Sequence, residues 1–423
     1  MRLAERVFAL PGLSPSRPAM WNALSGMLAG GQLALILVVI SRVAGSEQAA
    51  VFTIGSAIAL LASFAGRYGL RNYQVTDPSA HVHFKDYLWW RLLTVGATLL
   101  LVTGILFLLY RSGSYSSEKA IVVWLLCVYK LTDSVEDVFT GLYQQRGRLD
   151  VGAKIFLFRL LVSTATICVN LVLTGNLLTS VALGALVSIF LSILLLKVTF
   201  PFFGISLEFQ NSQIVKRLAV DGWPLCVAAT LLIYVGNMPK YLIDAFATET
   251  VQAVFGFLNM PVFLILLISG FLYQPMIKQM GEWWNSGALR QFWSRISKQI
   301  FNILALTGLA VFVGYLVGIP MLSVLFSVDL SHYRRELLIL LVGGGIYALI
   351  GFFVVIITIM RQQRTIAYGY IGAAVLGLIF GRYFVGNYQV LGAGLLYLLV
   401  NAALAITFYL AIVANVRRVS VPQ

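Results

Sequence analysis

The sequence is poor in charge. Only 11% of its 423 residues are charged, 60% are hydrophobic, and the mean hydropathy is +0.89. About a quarter of the residues in a soluble globular domain are charged, so this composition excludes that class. The apolar runs are about 20 residues long, and only closed backbone hydrogen bonding survives in hydrocarbon. The predicted fold class is therefore an all-α polytopic membrane protein.

Residues that commonly carry catalysis or hold cofactors are also scarce. The three cysteines, Cys127, Cys168 and Cys226, lie in predicted spans without CxxC spacing, which indicates small core residues and neither a disulfide framework nor a zinc site. His81 and His83 lack a third nearby ligand, which favours a solvated loop over a metal site. No Gly-rich phosphate loop is present, so ATP is not expected as the direct driver. We predict no metal, no cofactor and no enzymatic activity.

Twelve apolar stretches are long enough to cross a bilayer. We place them at 18–40, 48–64, 87–110, 120–139, 151–173, 177–198, 219–235, 251–276, 300–322, 337–360, 366–384 and 390–414. The polar connector at 200–218 divides them six to six, which predicts an amino-terminal bundle (1–210) and a carboxy-terminal bundle (211–423). Six is even, so both halves enter the membrane from the same side as parallel repeats. Two bundles around a central cavity are expected.

The distribution of basic residues predicts the orientation. With the amino terminus inside, 21 of the 30 basic residues fall on the inner side and 7 on the outer side, so both termini are expected in the cytoplasm. The net charge of +14 favours anionic lipid head groups as contacts. Nucleic acid is not an expected partner, because the basic residues are spread over many segments. The aromatic and basic connector at 277–299 is typical of a helix lying in the cytoplasmic interface.

Charged residues inside the spans carry the most functional information, because each costs at least about 2.5 to 3.5 kcal/mol at the bilayer centre. In span four, Lys130, Asp133 and Asp137 are spaced i, i+3 and i+7 and share one helical face. Folding spans four and five into a hairpin brings Arg159 close to the depth of the two aspartates. We therefore predict an ion-paired cluster. It either fixes the helix register or acts as an ion-coupling site or conformational latch.

Two further segments place polar residues beside or within a span. Arg67 and Arg71, one turn apart after span two, either bind a phosphate or act as inner-leaflet anchors. In span seven, Pro239 is expected to break the helix, so that Lys240 and Asp244 bend around a solvated centre. Asp244 follows Lys240 by four residues and is a candidate partner for it.

These residues resemble a known family. The pattern of residues 67–74 (RYGLRNYQ), the pattern of residues 237–244 (NMPKYLID) and the 6+6 plan resemble bacterial O-antigen-type oligosaccharide flippases of the multidrug/oligosaccharidyl-lipid/polysaccharide exporter superfamily. The resemblance implies a V-shaped pair of six-helix lobes and alternating access. It also implies transfer of an undecaprenyl-diphosphate-linked oligosaccharide to the outer leaflet of the bacterial inner membrane, for lipopolysaccharide, capsule or exopolysaccharide assembly.

The resemblance also assigns roles and partners. Family cavities are lined by cations that meet the diphosphate and acidic sugars, and the positions that match this role are Arg67, Arg71, Arg159 and Lys240. The candidates for ion coupling or a latch are Lys130, Asp133, Asp137 and Asp244. Besides the lipid-linked oligosaccharide, the implied partners are membrane lipids, a coupling proton or sodium ion, and a polymerase or other polysaccharide-assembly protein.

Two other readings stay open at this point. A multidrug or cation antiporter of the same superfamily would need a more acidic, more apolar cavity than four candidate cations provide. A membrane-embedded polysaccharide polymerase would need a sizeable outer loop or an intramembrane His/Asp pair, and the chain has short outer loops and no histidine within a span.

Overall fold

The computed structural model describes residues 16–76, 83–200 and 212–420, and these residues are helical with no β-strand among them. The predicted all-α fold class is confirmed. The helices, numbered in chain order, are α1 (Ser16–Val43), α2 (Gly45–Arg67), α3 (Leu70–Thr76), α4 (Phe84–Arg111), α5 (Ser117–Gln145), α6 (Leu149–Thr174), α7 (Leu177–Thr199), α8 (Ser212–Phe246), α9 (Glu249–Tyr273), α10 (Ile277–Asn285), α11 (Leu289–Val313), α12 (Ile319–Phe326), α13 (Arg334–Ile359) and α14 (Gln363–Ser420). A π-helical turn at Gly314–Gly318 joins α11 to α12, so these form one span.

Ten helical segments of the described chain are long and apolar enough to cross a membrane. Helix α5 is not among them because its charges lower its hydropathy, although its 29 residues are long enough to span. Helix α14 has 58 residues, about 87 Å at 1.5 Å per residue, and it is broken at Gln389, where φ is 48° and ψ is −121°. It therefore crosses twice, and the described residues contain the predicted twelve spans.

Most helices extend a few residues beyond the predicted spans at both ends. Span two, predicted at 48–64, is Gly45–Arg67 in the structure. The predicted spans end at the first polar residue of each apolar stretch, whereas the helix itself continues into the headgroup region. The interface helix predicted at 277–299 is wrong in extent: Gly287, with φ of 72°, lies in a turn that separates α10 from α11, and α11 continues into span nine.

The chain divides into two compact units, Met1–Ile233 and Tyr234–Gln423, which we call unit 1 and unit 2. The division falls inside α8, and the predicted boundary between halves at residues 210 and 211 stays a prediction. In unit 1, α5 packs against α2, α4, α6 and α7. Helices α2 and α5 approach closely because Gly55 lies against Leu126, where an added Cβ would come within 2.7 Å of Leu126 Cδ1.

Unit 2 is organised around α13. Three consecutive glycines on this helix, Gly343, Gly344 and Gly345, point in different directions because successive helical residues are rotated by about 100°. The first faces Tyr397 of α14, the second faces Val262 of α9, and the third contacts α11. Small residues let helix backbones approach in lipid, so α13 packs on three sides.

The orientation is testable at three exposed positions, two at helix ends and one beside the break in α14. In a chain whose native cysteines are replaced, cysteines at Gln145 and Asn285 should resist an impermeant thiol reagent applied to intact cells, while one at Asn387 should be labelled. Permeabilised cells, in which all three positions should react, provide the control. Labelling at Gln145 and Asn285 but not at Asn387 would invert the orientation.

Candidate functional site

The middle of α5 carries four charged side chains inside unit 1. Lys130, Asp133 and Glu136 are at most 5% exposed, and Asp137 is 10% exposed. A charge in this position needs a partner, because desolvation of an isolated ion is costly. The partners come from neighbouring helices of unit 1 and form two groups.

The first group, the buried ion cluster, consists of Lys130, Asp133, Glu136 and Arg159. Arg159 donates from Nη2 to Asp133 Oδ1 at 2.6 Å, and its Nε lies 2.7 Å from Glu136 Oε1. Lys130 Nζ lies 3.3 Å from Asp133 Oδ2. The two cations balance the two carboxylates in formal charge, which lowers the electrostatic cost of burying the cluster.

Neutral polar side chains extend the buried ion cluster to other helices. Lys130 Nζ donates to Gln32 Oε1 of α1 at 3.0 Å, and Arg159 Nη1 donates to Ser188 Oγ of α7 at 2.7 Å. The Gln32 amide contacts the hydroxyl of Tyr129. The cluster therefore ties α5 to α1, α6 and α7, and it holds Arg159 fully buried.

The second group, the arginine cluster, consists of Arg71, Arg91 and Asp137. Arg91 Nη2 lies 3.0 Å from Asp137 Oδ2, and Arg71 Nη1 lies 3.5 Å from Asp137 Oδ1. Arg71 also donates from Nη2 to Gln144 Oε1 at 2.9 Å. Arg91 is fully buried, whereas the Arg71 side chain is 31% exposed. Two guanidinium groups face one carboxylate, so this group carries net positive charge.

The arginine cluster is built on the carboxyl end of α2. The helix ends where Tyr68 adopts a left-handed conformation (φ 53°), and its last carbonyl groups then need donors from outside the helix. Arg91 Nη1 donates to Gly66 O at 3.1 Å, and Thr94 Oγ1 donates to the same oxygen at 2.8 Å. A cation at a helix carboxyl terminus is also favoured by the helix dipole. Arg91 therefore joins α2, α4 and α5.

Arg67 lies next to the arginine cluster. Its guanidinium carbon is 4.9 Å from the centre of the Phe64 ring, and its Nε, though buried, has no hydrogen-bond partner among the described residues. The predicted phosphate-binding pair is thus divided: Arg71 is engaged by Asp137 and Gln144, while Arg67 has an aromatic neighbour.

Replacing Arg91 with methionine should destabilise unit 1 by about 3 kcal/mol, because Asp137 loses its nearer cation and Gly66 O loses a donor in low dielectric. Thermal unfolding of the purified protein in detergent should show a clearly lower midpoint. Arg111→Met, at the exposed end of the same helix, is the matched control and should unfold close to wild type. Equal unfolding midpoints for the two variants would mean that the arginine cluster does not hold the helices together.

In unit 2, the charged residue well inside α8 is Lys240. The helix runs unbroken from Ser212 to Phe246, so the predicted break at Pro239 is wrong. A proline removes one donor, and membrane helices tolerate this where neighbouring groups satisfy the freed carbonyl. Lys240 Nζ donates to Asn237 Oδ1 at 3.1 Å, which is a neutral partner. Asp244 lies one turn further on and is half-buried.

Unit 2 also contains a pocket of about 630 Å³ where α8 ends beside α14. Its lining residues are Phe246, Ile379, Arg382, Tyr383, Gly386 and Asn387. No group of three His, Cys, Asp or Glu side chains that could hold a metal ion occurs within residues 16–76, 83–200 and 212–420. His81 lies outside the described residues.

Sequence reasoning found the cluster on α5 but not all its members. Arg159 meets Asp133, one of its two predicted partners; Asp137 pairs with Arg91 and Arg71 instead. Glu136 lies off the face that Lys130, Asp133 and Asp137 share, and Arg91 lies on a different helix, so neither residue was predicted to belong to the cluster. The position of Arg91 could have indicated a buried role, because Arg91 is the eighth residue of α4 and lies deeper than a headgroup anchor needs to be.

The fold was compared with known proteins. No family model matches the sequence, and no curated protein matches it. Solved structures do match. An inward-facing multidrug resistance MATE family transporter of the MOP superfamily is 14% identical with a TM-score of 0.70, covering 99% of this chain and 98% of that one. The lipid II flippase MurJ, in an inward closed conformation, is 10% identical with a TM-score of 0.69, covering 95% and 90%.

A further match is the Vibrio cholerae MATE transporter VcmN in its bent form, 12% identical with a TM-score of 0.59 and 99% of each chain covered. At such low identities the likeness concerns the fold. This chain has the fold that MATE transporters and MurJ share.

Proposed function

We propose that this chain is a membrane transporter that moves an undecaprenyl-diphosphate-linked oligosaccharide from the inner to the outer leaflet of the bacterial cytoplasmic membrane by alternating access. It would serve surface polysaccharide assembly and would not act as an enzyme. The fold likeness to MATE transporters and to a lipid II flippase supports transport. The choice of substrate rests on how charge is distributed inside the spans.

The observation that carries the choice is that the mid-span carboxylates of unit 1 are already paired. Asp133, Glu136 and Asp137 each face at least one arginine. From Tyr234 onward, the acidic residues lie in the first or last turn of a long helix, on the short helix α10, or between helices; they are Asp244, Glu249, Glu282, Asp329 and Glu336. Lys240, by contrast, lies six residues before the end of α8, outside its last turn, and its hydrogen-bond partner Asn237 is neutral. This pattern favours an anionic substrate over a cationic one.

A multidrug or cation antiporter is the second candidate, and the fold likeness to MATE transporters supports it equally well. Such a protein needs a carboxylate that a cation can reach. The pairing of the α5 carboxylates with arginines makes them poor candidates for that role, and we therefore place this function second.

Reconstitution into proteoliposomes distinguishes the two functions. Fluorescent undecaprenyl diphosphate bearing a sugar should move between leaflets faster than in protein-free vesicles, as measured by loss of protection from an impermeant quencher. The same vesicles should not accumulate ethidium under a proton or sodium gradient. Ethidium uptake without lipid movement would reverse the assignment.

A further inference from the structure

The first half of α8 packs against the rest of unit 1 through a single uncharged face. The members of this face recur at helical spacing and are Leu218, Ala219, Gly222, Leu225 and Cys226. Leu218 is 2% exposed and belongs to an apolar core to which α3, α4, α5, α6 and α7 also contribute. On the other side of the helix, Val220 and Trp223 are more than half exposed. This half of α8 is therefore docked on unit 1 along one face.

The surface that receives this face is the turn between α2 and α3. Tyr68 and Gly69 both adopt a left-handed backbone conformation, with φ of 53° and 65°. This conformation is ordinary for glycine but costly for tyrosine, and a residue stays in it only where its surroundings hold it there. The Tyr68 ring packs edge to face with the ring of Trp90, with centroids 5.3 Å apart. The same ring also contacts α8.

Tyr68 is fitted to α8 by a hydrogen bond and by a glycine. Its hydroxyl donates to Ala219 O at 3.0 Å. Gly222, three residues further along α8, lies against the ring, since an added Cβ would come within 3.0 Å of two ring carbons. A larger residue at this position would displace the ring, so α8 has a glycine where the tyrosine needs room.

Two further contacts continue the same interface. Gly69 lies against Leu225, because an added Cβ would come within 2.7 Å of Leu225 Cβ. Cys226 Sγ lies 3.7 Å from Ala65 O, close to the end of α2. We call these contacts the inner clasp, because they lie at the end of unit 1 that the basic residues predict to be cytoplasmic. The clasp joins Ala65, Tyr68 and Gly69 to Ala219, Gly222, Leu225 and Cys226.

The inner clasp is held together in a different way from the helices beside it. All its members are uncharged, and its hydrogen bond from Tyr68 to Ala219 joins two neutral groups. Helix α5, by contrast, is joined to its neighbours by buried ion pairs, whose separation would leave charges unpaired in low dielectric. A neutral hydrogen bond near the headgroup region can be exchanged for one to water at little net cost. The clasp can therefore open while the ion pairs stay intact.

The helix that the inner clasp holds does not end in unit 1. Helix α8 runs without a break from Ser212 to Phe246, and the division between the units falls after Ile233. Opening of the clasp would release only the first half of α8 from the turn between α2 and α3. A packed contact at one end of a continuous helix is the kind of element that has two discrete arrangements, docked and released.

We propose that the inner clasp is a gate, which is closed in this structure and opens on the cytoplasmic side to admit the lipid-linked substrate from the inner leaflet. This inference rests on the proposed function. Tyr68 is then a positioning residue, because it acts on α8 and not on the substrate.

The test locks the inner clasp with a disulfide. Gly69→Cys and Leu225→Cys are combined in a chain whose native cysteines are replaced, and the protein is reconstituted into proteoliposomes. The two positions are close enough for a disulfide after a small shift, since bonded cysteines have Cβ atoms about 3.5 to 4.5 Å apart. Oxidation should slow movement of a fluorescent undecaprenyl diphosphate bearing a sugar by at least about tenfold, and reduction should restore it. The reduced sample of the same protein is the reference.

A second pair of cysteines provides the matched control. Thr140→Cys with Gly152→Cys joins α5 to α6 without involving α8, and an added Cβ at Gly152 would come within 3.2 Å of Thr140 Cα. Oxidised and reduced forms of this variant should move the probe at the same rate. If the first pair does not fold, Tyr68→Cys with Gly222→Cys, bridged by a short reducible thiol crosslinker, locks the same contact.

Unchanged movement after complete crosslinking across the inner clasp would make the contact static packing and overturn the gate, while leaving the proposed function intact. Failure of both pairs to crosslink in the membrane, or equal slowing by the control pair, would overturn it as well. Wild-type protein that does not move the probe would instead refute the proposed function, and with it this inference.

Discussion

Arg159→Ala should abolish stable expression or cost at least about 3 to 5 kcal/mol, the largest stability effect we expect from any single substitution in unit 1. Arg159 is fully buried and contacts two carboxylates, at 2.6 Å and 2.7 Å. Its removal leaves the buried ion cluster with Lys130 alone against Asp133 and Glu136, a net negative charge in low dielectric. Yield after purification and thermal unfolding in detergent measure the loss.

A second substitution should relieve the defect. Glu136→Gln or Asp133→Asn in the Arg159→Ala background restores formal neutrality, so the double variant should be more stable than the single one. Arg111→Ala provides a control, since this arginine is exposed at the end of α4 and should matter little. If Arg159→Ala is silent, or if neutralising a carboxylate makes it worse, the ion pairing seen here does not stabilise the protein.

Lys240→Ala should leave folding intact and reduce transport by about ten- to a hundredfold, the range expected when one charge-assisted hydrogen bond to a substrate is lost. Lys240 donates to Asn237, a neutral group, so alanine leaves no carboxylate unpaired there. Lys240→Arg keeps a cation and should retain most activity. Movement of a sugar-bearing undecaprenyl diphosphate in proteoliposomes is the direct measurement, and complementation of a flippase-deficient strain is the cellular one.

The control for this second prediction is Lys278→Ala. Lys278 lies on α10, its side chain is 91% exposed, and its loss should not affect transport. Unimpaired glycan export by Lys240→Ala at wild-type protein level would remove Lys240 from the substrate path and weaken the cationic-site hypothesis as a whole.

The parts of the fold that follow from lipid alone were predictable from the sequence. Length and apolarity define a span wherever it occurs, so the all-α class and the twelve spans could be predicted without knowing what packs against what. The helix ends were predicted less accurately. The polar residues that end an apolar stretch can still be helical, because headgroups and water solvate them. The continuity of α8 through Pro239 was not predictable, because it depends on neighbours that satisfy a freed carbonyl.

The candidate site, like the fold, was predictable from the sequence only in part. Helical periodicity placed Lys130, Asp133 and Asp137 on one face, and hairpin geometry brought Arg159 to the depth of Asp133. Arg91 could not be assigned in this way. It comes from α4, and its contacts with Gly66 O and Asp137 depend on how α2, α4 and α5 pack. Periodicity describes one helix at a time, whereas such a residue joins three.

The charged middle of α5 also has a consequence for biogenesis. At about 2.5 to 3.5 kcal/mol for each charged residue near a helix centre, this segment should partition poorly from the translocon into lipid on its own. Its main counter-charge lies on α6, since Arg159 follows Asp133 by 26 residues. At about 5 to 20 residues per second, the ribosome supplies that residue within a few seconds. We therefore expect α5 to wait at the lateral gate and to enter the bilayer together with α6, as a hairpin in which Lys130 and Arg159 balance Asp133 and Glu136.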